Sequence, residues 1–157
     1  MFTVLHSSAG AGKTHALVKR YLVLALKHGA PDGYARVLAL TFTNKAAVEM
    51  RGRVLAYLEA LASGNPLKGA EADLRDALLE ETRLSAGELQ RLAQAMLGHM
   101  LHHWSQVAIS TIDAFTRRVV TPFARDLRLD QELRMTTEEE RLLAEAVDLL
   151  LEEAGTD

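Results

Sequence analysis

Residues 7–14 combine small side chains, glycines, a lysine and a hydroxyl in a spacing that suits phosphate binding. Gly10 and Gly12 let consecutive backbone N–H groups turn towards an anion, and the Lys13 side chain can reach the outer phosphates of a nucleotide. The Thr14 hydroxyl can ligate Mg²⁺. The first position, where the strict pattern has glycine, is serine here. The segment therefore predicts a loop that binds a nucleotide.

The elements around this loop are those that a phosphate site needs. An apolar run predicts a strand over 2–6, and the apolar spacing after the loop predicts a helix over 13–28 that ends at Gly29. The amino end of a helix favours negative charge, because its N–H groups and dipole point towards the ligand. The alternative is a flexible turn before an ordinary helix.

Two further apolar runs, 36–41 and 106–111, predict strands that are buried on both faces. Each is followed by a predicted helix, over 44–61 and over 112–127, and Pro122 should kink or break the second of these. Helices between strands imply parallel pairing, with ligands outside the carboxyl ends of the strands. Polar residues stand at each of these ends, so the sequence predicts a functional edge of the sheet.

The residues after the second strand, Thr41 to Lys45, suit a nucleic-acid strand. Hydroxyl and amide groups donate to phosphate oxygens, and the Phe42 ring can stack on an unpaired base. Two alternatives stay open, Phe42 as a core aromatic and Asn44 as a plain helix cap. After the third strand, Arg117 either contacts phosphate or is solvated surface charge.

The composition is that of an ordinary globular domain: 157 residues, 48% of them apolar, with no cysteine. Disulfides and thiolate metal sites are excluded, and neither an export signal nor a membrane span is indicated, so we expect a cytoplasmic protein. Residues 1–53 carry eight Lys or Arg against two acidic side chains, a net +6, so the remainder carries −9 of the overall −3. This asymmetry suits a phosphate-handling face, although chance asymmetry is the alternative.

Helices are also predicted between the second and third strands and at the end of the sequence. Ser63 to Pro66 should end the helix that begins at Asn44. Two helices are predicted to follow, over about 69–81 and 86–103. Ser85 and Glu88 have the spacing of a capping box at the start of the second helix. The last helix is capped at Thr137 with Glu140 and carries an apolar face. The predicted fold class is α/β, with a parallel sheet and a helical C-terminal portion.

Four segments in this order resemble the amino-terminal part of UvrD/Rep-type superfamily-one DNA helicases, closest to the RecB-like and AddA-like branch. They are SSAGAGKT (7–14), VLALTFTNKAAVEM (37–50), ISTIDAFTRRVV (109–120) and FARDL (123–127). The resemblance covers nearly the whole chain and implies the RecA-like fold of P-loop NTPases, here incomplete. It implies a partial ATP-binding lobe over 1–128, with a helical insertion at about 62–104, and the start of a helical subdomain over 129–157.

The resemblance also assigns residues. It implies that ATP and Mg²⁺ are held by the loop, with Lys13 and Thr14 as catalytic residues and Thr14 as the Mg²⁺ ligand. The cofactor-binding set is Ser8, Ala9, Gly10, Ala11, Gly12, Lys13 and Thr14. The set expected along single-stranded DNA is Thr41, Phe42, Thr43, Asn44, Lys45, Thr111, Ile112 and Arg117.

The chain departs from the family pattern in three respects. Many relatives carry histidine where Asp113 stands, and this carboxylate should cap its helix because it would repel phosphate. No glutamine that would read adenine precedes the loop. The acidic Walker B pair, the later glutamine and arginine motifs and the second RecA-like lobe are absent from the sequence.

The implied parent function is ATP-driven 3′-to-5′ translocation on DNA, and its unwinding, in repair or recombination. Phosphoryl transfer needs a metal-holding acid, a water-orienting carboxylate and an arginine besides the loop lysine. For this chain alone we expect weak ATP and DNA binding without turnover, and as partners DNA and the remaining helicase lobes or a nuclease subunit. The alternatives are a small P-loop kinase or nucleotide hydrolase, and a non-enzymatic remnant of a broken helicase reading frame.

Overall fold

The structure is a computed structural model that describes residues 13–124 and 139–154. These residues form a helix-rich α/β arrangement with short 3-10 segments at Gly33–Arg36, Trp104–Gln106 and Thr121–Phe123. The helices are α1 (Lys13–Leu26), α2 (Asn44–Ser63), α3 (Ala70–Thr82), α4 (Ala86–His102), α5 (Ile112–Val120) and α6 (Glu139–Ala154), and the strands are β1 (Ala39–Thr41) and β2 (Ile109–Thr111).

The two described strands pair in parallel, as the sequence predicted. Ala39 lies opposite Ile109, Leu40 opposite Ser110 and Thr41 opposite Thr111. Parallel pairing requires a crossover connection, which α2, α3 and α4 supply. The predicted strand over 2–6 lies outside the described residues, so the P-loop NTPase sheet stays a prediction.

Both strands are shorter than the sequence predicted. The segment Gly33–Arg36 is a 3-10 helix, closed where the Val37 N–H donates to the Tyr34 carbonyl at 3.1 Å. The segment Trp104–Gln106 forms a similar turn. Residue 36 and residue 106 were therefore wrongly assigned to strands. The physical reason for the first turn is burial, because it brings the Tyr34 side chain fully into the core.

The boundaries of α1 to α4 agree with the sequence to within two residues, and the local signals of α2 and α4 are present. Gly64 ends α2 in the left-handed conformation, with φ of 69°, inside the predicted break. At the start of α4, the Glu88 N–H donates to the Ser85 hydroxyl and the Ser85 N–H donates to the Glu88 carboxylate, which confirms the capping box. The hydrogen bonds from the Ser85 hydroxyl and N–H lower the pKa of Glu88.

One apolar core joins the four helices α1 to α4 and the strand β2. Its largest fully buried side chains include Leu22, Leu58, Leu78, Met96 and Ile109. Burying such side chains is the main favourable contribution to folding, at about 1.5–3 kcal/mol each. Tyr34 is also fully buried, and its hydroxyl bonds His99 Nδ1 on α4 at 2.8 Å. This core fixes the position of the helix α2 relative to the strand β2.

Tyr21 on α1 differs from Tyr34 because its buried hydroxyl has no hydrogen-bond partner among the described residues. The side chain is 3% exposed, and burial, together with the neighbouring Tyr34, raises its pKa to about 12. We expect Tyr21→Phe to leave the free energy of unfolding unchanged or to raise it by up to about 1 kcal/mol, since it removes an unsatisfied buried group. Tyr34→Phe, the matched control, should lower it by about 1 kcal/mol. Urea denaturation of both variants measures this, and equal losses would contradict the prediction.

The described residues fall into two compact units, the first ending at Phe115 and the second beginning at Thr116. The helix that begins at Ile112 ends at Val120, and a 3-10 turn containing Pro122 follows, which confirms the predicted break. α6 confirms the last predicted helix, whereas its predicted cap at Thr137 lies outside the described residues. The predicted domain boundary near residue 128 stays a prediction.

Candidate nucleic-acid interface and nucleotide loop

Parallel pairing brings two predicted segments to one edge of the sheet. Thr41 and Thr111 are register partners and the last residues of their strands. The chain leaving β1 and the chain leaving β2 therefore start side by side. The Thr41 hydroxyl lies between them, 3.0 Å from the Thr43 carbonyl and 3.4 Å from the Ser110 carbonyl, to both of which it can donate.

The segment after β1 turns directly into α2. Thr43 is the N-cap, with extended backbone, and its hydroxyl accepts a hydrogen bond from the Ala46 N–H at 3.2 Å. The interpretation of Asn44 as the helix cap is therefore wrong, because Asn44 is already the first helical residue. A hydroxyl at Thr43 is well placed for capping because the cap side chain must reach the third helical N–H.

The side chains of this segment face solvent. Phe42 is 88% exposed, and Thr43, Asn44 and Lys45 are also exposed. The interpretation of Phe42 as a core aromatic is therefore wrong. An aromatic ring this exposed gains nothing from the core, so the structure leaves it available for stacking.

The segment after β2 is arranged differently. Thr111 is buried, at 7% exposed, and its hydroxyl accepts from the Ala114 N–H at 3.2 Å. The prediction that Asp113 caps this helix is wrong, because Thr111 supplies the capping oxygen and Asp113 lies in the first turn of α5. Ile112 is 41% exposed beside it. Direct contacts of Thr111 and Ile112 with DNA stay predictions.

Arg117 belongs to the second unit. It lies in the last turn of α5, its side chain is exposed, and its carbonyl accepts a hydrogen bond from the Thr121 hydroxyl at 2.7 Å. Its contact with DNA stays a prediction.

Most of the predicted nucleotide loop, from Ser8 to Gly12, lies outside the described residues. The described part begins at Lys13, the first residue of α1, and Thr14 is half-buried in the first turn. The helix α1 confirms the helix that the sequence predicted after the loop. The assignment of ATP and Mg²⁺ to this loop stays a prediction.

Two long-range contacts near these segments were missed by sequence reasoning. His15 Nδ1 lies 2.9 Å from the Tyr57 hydroxyl, which joins the first turn of α1 to α2. Arg51 Nη1 donates to the Ile109 carbonyl at 3.1 Å, which joins α2 to β2. The partners are 42 and 58 residues apart, so no local pattern could have identified them.

Among the helices that the structure describes, none combines the length and the apolar character needed to cross a membrane.

Comparison with known proteins identifies relatives over nearly the whole sequence. The chain is 34% identical over 143 residues to the AddA component of an ATP-dependent helicase/nuclease of Limosilactobacillus reuteri, covering 89% of this chain and 8% of the relative. Proteins of the same name from Thermoanaerobacter sp. (strain X514) and Oceanobacillus iheyensis are 34% and 31% identical over 149 residues, covering 94% of this chain and 10% of each relative. No solved structure matches the chain significantly.

The chain thus spans 8–10% of the length of these curated relatives. The family model of the UvrD/REP helicase N-terminal domain matches residues 2–156. A match of this extent includes the predicted nucleotide loop and both segments that follow the described strands. The chain therefore belongs to the UvrD/REP helicase N-terminal domain family.

Proposed function

We propose that this chain is the ATP-binding and single-stranded-DNA-binding beginning of a DNA helicase. In the complete motor, ATP hydrolysis would drive 3′-to-5′ translocation and unwinding in repair or recombination. By itself the chain binds ATP, Mg²⁺ and DNA weakly and without turnover. Its partners are the remaining helicase lobes or a nuclease subunit, which would supply the acidic and arginine side chains that hydrolysis needs.

The observation that carries the DNA part of this proposal is the parallel register of β1 and β2. Because the two strands end together at Thr41 and Thr111, two polar segments 70 positions apart in the chain become neighbours. A DNA strand running along this edge would meet both. Parallel α/β sheets bind their ligands outside the carboxyl ends of the strands.

The charge at the two helix starts favours α2 as the phosphate contact. The first turn of α2 has no acidic residue and presents the exposed Lys45, at the amino end of a helix of 20 residues. The first turn of α5 contains Asp113, whose carboxylate would repel a phosphate. The α2 start therefore takes the phosphates, and the apolar Ile112 beside it suits a sugar or base.

The nucleotide part of the proposal rests on the loop sequence and on α1. The loop delivers Lys13 and Thr14 to the first turn of a 14-residue helix that has no acidic residue there. A helix amino end of this kind favours an anion. The proposal of binding without turnover rests on what hydrolysis requires besides the loop lysine, namely a metal-holding acid, a water-orienting carboxylate and an arginine.

Phe42 provides the sharpest test of the DNA part. We expect Phe42→Ala to weaken binding of a fluorescein-labelled oligo-dT by about 1–3 kcal/mol, because stacking on an unpaired base is lost. Fluorescence anisotropy at fixed salt measures the affinity. Since the ring is 88% exposed, the free energy of unfolding should stay unchanged.

Two controls separate stacking from a general effect of removing an aromatic side chain. Phe42→Trp should retain the affinity, because indole also stacks. Trp104→Ala removes a 43% exposed ring that precedes β2, away from the carboxyl ends of the strands, and should leave the affinity unchanged. An equal loss in Phe42→Ala and Trp104→Ala would contradict the proposed site.

A further inference from the structure

Arg51 connects two elements that carry the proposed DNA-binding segments. It lies on α2, which begins immediately after the segment that leaves β1. Its part-buried guanidinium donates from Nη1 to the carbonyl of Ile109, in β2, at 3.1 Å. Hydrogen bonds from a charged donor are about twice as strong as those between neutral groups.

The accepting carbonyl lies on the edge of β2 that faces away from β1. Within the ladder, the Ala39 N–H donates to the Ala108 carbonyl at 2.9 Å, so the Ala108 carbonyl points towards β1. Successive carbonyls of a strand point to alternate edges, and the Ile109 carbonyl therefore points away from β1. Arg51 satisfies a group that pairing with β1 cannot reach.

This contact matters because the described ladder is short. β1 and β2 are held together by three register pairs, and so short a two-stranded pairing is marginal by itself. Arg51 adds a connection from the opposite edge of β2 to the helix that follows β1. Together, the ladder and Arg51 hold β2 from both edges and fix its end relative to the start of α2.

We propose that Arg51 is a positioning residue for single-stranded DNA, an inference that rests on the proposed function. It holds the ends of β1 and β2 in the register that aligns Thr43 and Lys45 with Ile112, and it does so through the Ile109 carbonyl. Arg51 lies seven residues into α2 from Asn44, about 10 Å along the helix axis. DNA affinity thus depends on Arg51 without a phosphate contact from its guanidinium.

The test measures oligo-dT affinity of the full chain over a series of salt concentrations. We expect Arg51→Met to weaken binding about three- to tenfold, in line with the loss of one hydrogen bond. The slope of log affinity against log salt should equal that of the wild type. Each phosphate contact to single-stranded DNA contributes about 0.7 to this slope, so Lys45→Met, the reference for a direct contact, should reduce it by about that amount.

Arg53→Met is the matched control, because Arg53 is on the same helix and carries the same charge. Its guanidinium forms an ion pair with Glu49 at 2.6 Å, and this contact stays within α2. We expect its affinity and slope to match the wild type apart from a small uniform charge effect. Arg51→Lys retains a donor and should recover most of the affinity.

A second readout is independent of DNA. Hydrogen exchange of the amides in β1 and β2 should be faster in Arg51→Met and unchanged in Arg53→Met. Unchanged exchange in Arg51→Met, or DNA affinity equal to wild type, would overturn the proposal. A slope reduced by about 0.7 in Arg51→Met would overturn it too, because Arg51 would then contact phosphate. Failure of the wild type to bind DNA overturns the proposed function instead, and hydrogen exchange still decides whether Arg51 positions the strands.

Discussion

Replacing Lys13 with alanine is expected to lower the ATP affinity of the chain about ten- to a hundredfold. Lys13 is the first described residue of α1 and the lysine of the predicted nucleotide loop, the position from which a lysine would reach the outer phosphates. A hydrogen bond to a charged group is worth about 1.5–3 kcal/mol, which corresponds to that range of affinity. Binding of a fluorescent ATP analogue in the presence of Mg²⁺ measures the change.

Lys27→Ala is the matched control for this prediction. It removes the same charge from an exposed residue just past the other end of α1, about 21 Å from Lys13. Its ATP affinity should match the wild type. Equal affinities of Lys13→Ala and wild type would contradict the proposed loop, and DNA-stimulated hydrolysis by the wild-type chain that disappears in Lys13→Ala would contradict binding without turnover.

The largest loss of stability is expected at Gly33. A Cβ added there would overlap the Ala25 carbonyl oxygen, an atom of the α1 backbone that cannot rotate away. Moving the 3-10 turn instead would displace Tyr34 from the core and strain its bond to His99. We expect Gly33→Ala to lower the free energy of unfolding by about 3 kcal/mol, the upper end of the range for overpacking. Urea denaturation measures this loss.

Gly52→Ala is a control of the opposite sign. Gly52 is an exposed residue within α2, and nothing lies within 4 Å of the Cβ that alanine would add. Alanine in a helix interior is favoured over glycine by about 0.5–1 kcal/mol, so this variant should be more stable than the wild type. Gly33→Ala at wild-type stability would show that the turn and α1 are not in close contact.

The sequence predicted those elements whose signals are local. The glycine in the 63–66 break, the Ser85 and Glu88 capping box and Pro122 each act within a few residues, and each determines a helix boundary that the structure confirms. The strand bounds failed at Arg36 and Gln106, the polar first residues of two otherwise mostly apolar runs, which belong to the 3-10 turns before the strands. An apolar run indicates burial, and burial can be reached by a 3-10 turn, as Tyr34 shows, as well as by a strand.

The sequence also failed to predict which residue caps two of the helices. Asn44 and Asp113 have good capping side chains, yet Thr43 and Thr111 take that role. Residue type determines only that a cap is available in this stretch. Where the helix begins decides which side chain caps it, and in both places the capping threonine stands one or two residues before the side chain that the sequence favoured.

By itself, the sequence determined the family and the order of the described helices and strands, because these depend on residue type and spacing along the chain. The residues of the nucleotide loop stay a prediction. Only the tertiary structure decided that Phe42 faces solvent, that Thr111 is buried, and that Arg51 bonds the edge of β2 that faces away from β1. The register of β1 and β2 pairs Thr41 with Thr111, and the Arg51 contact joins positions 58 apart. Such contacts are selected by the shared core of α1 to α4 and β2, and a linear pattern contains no record of them.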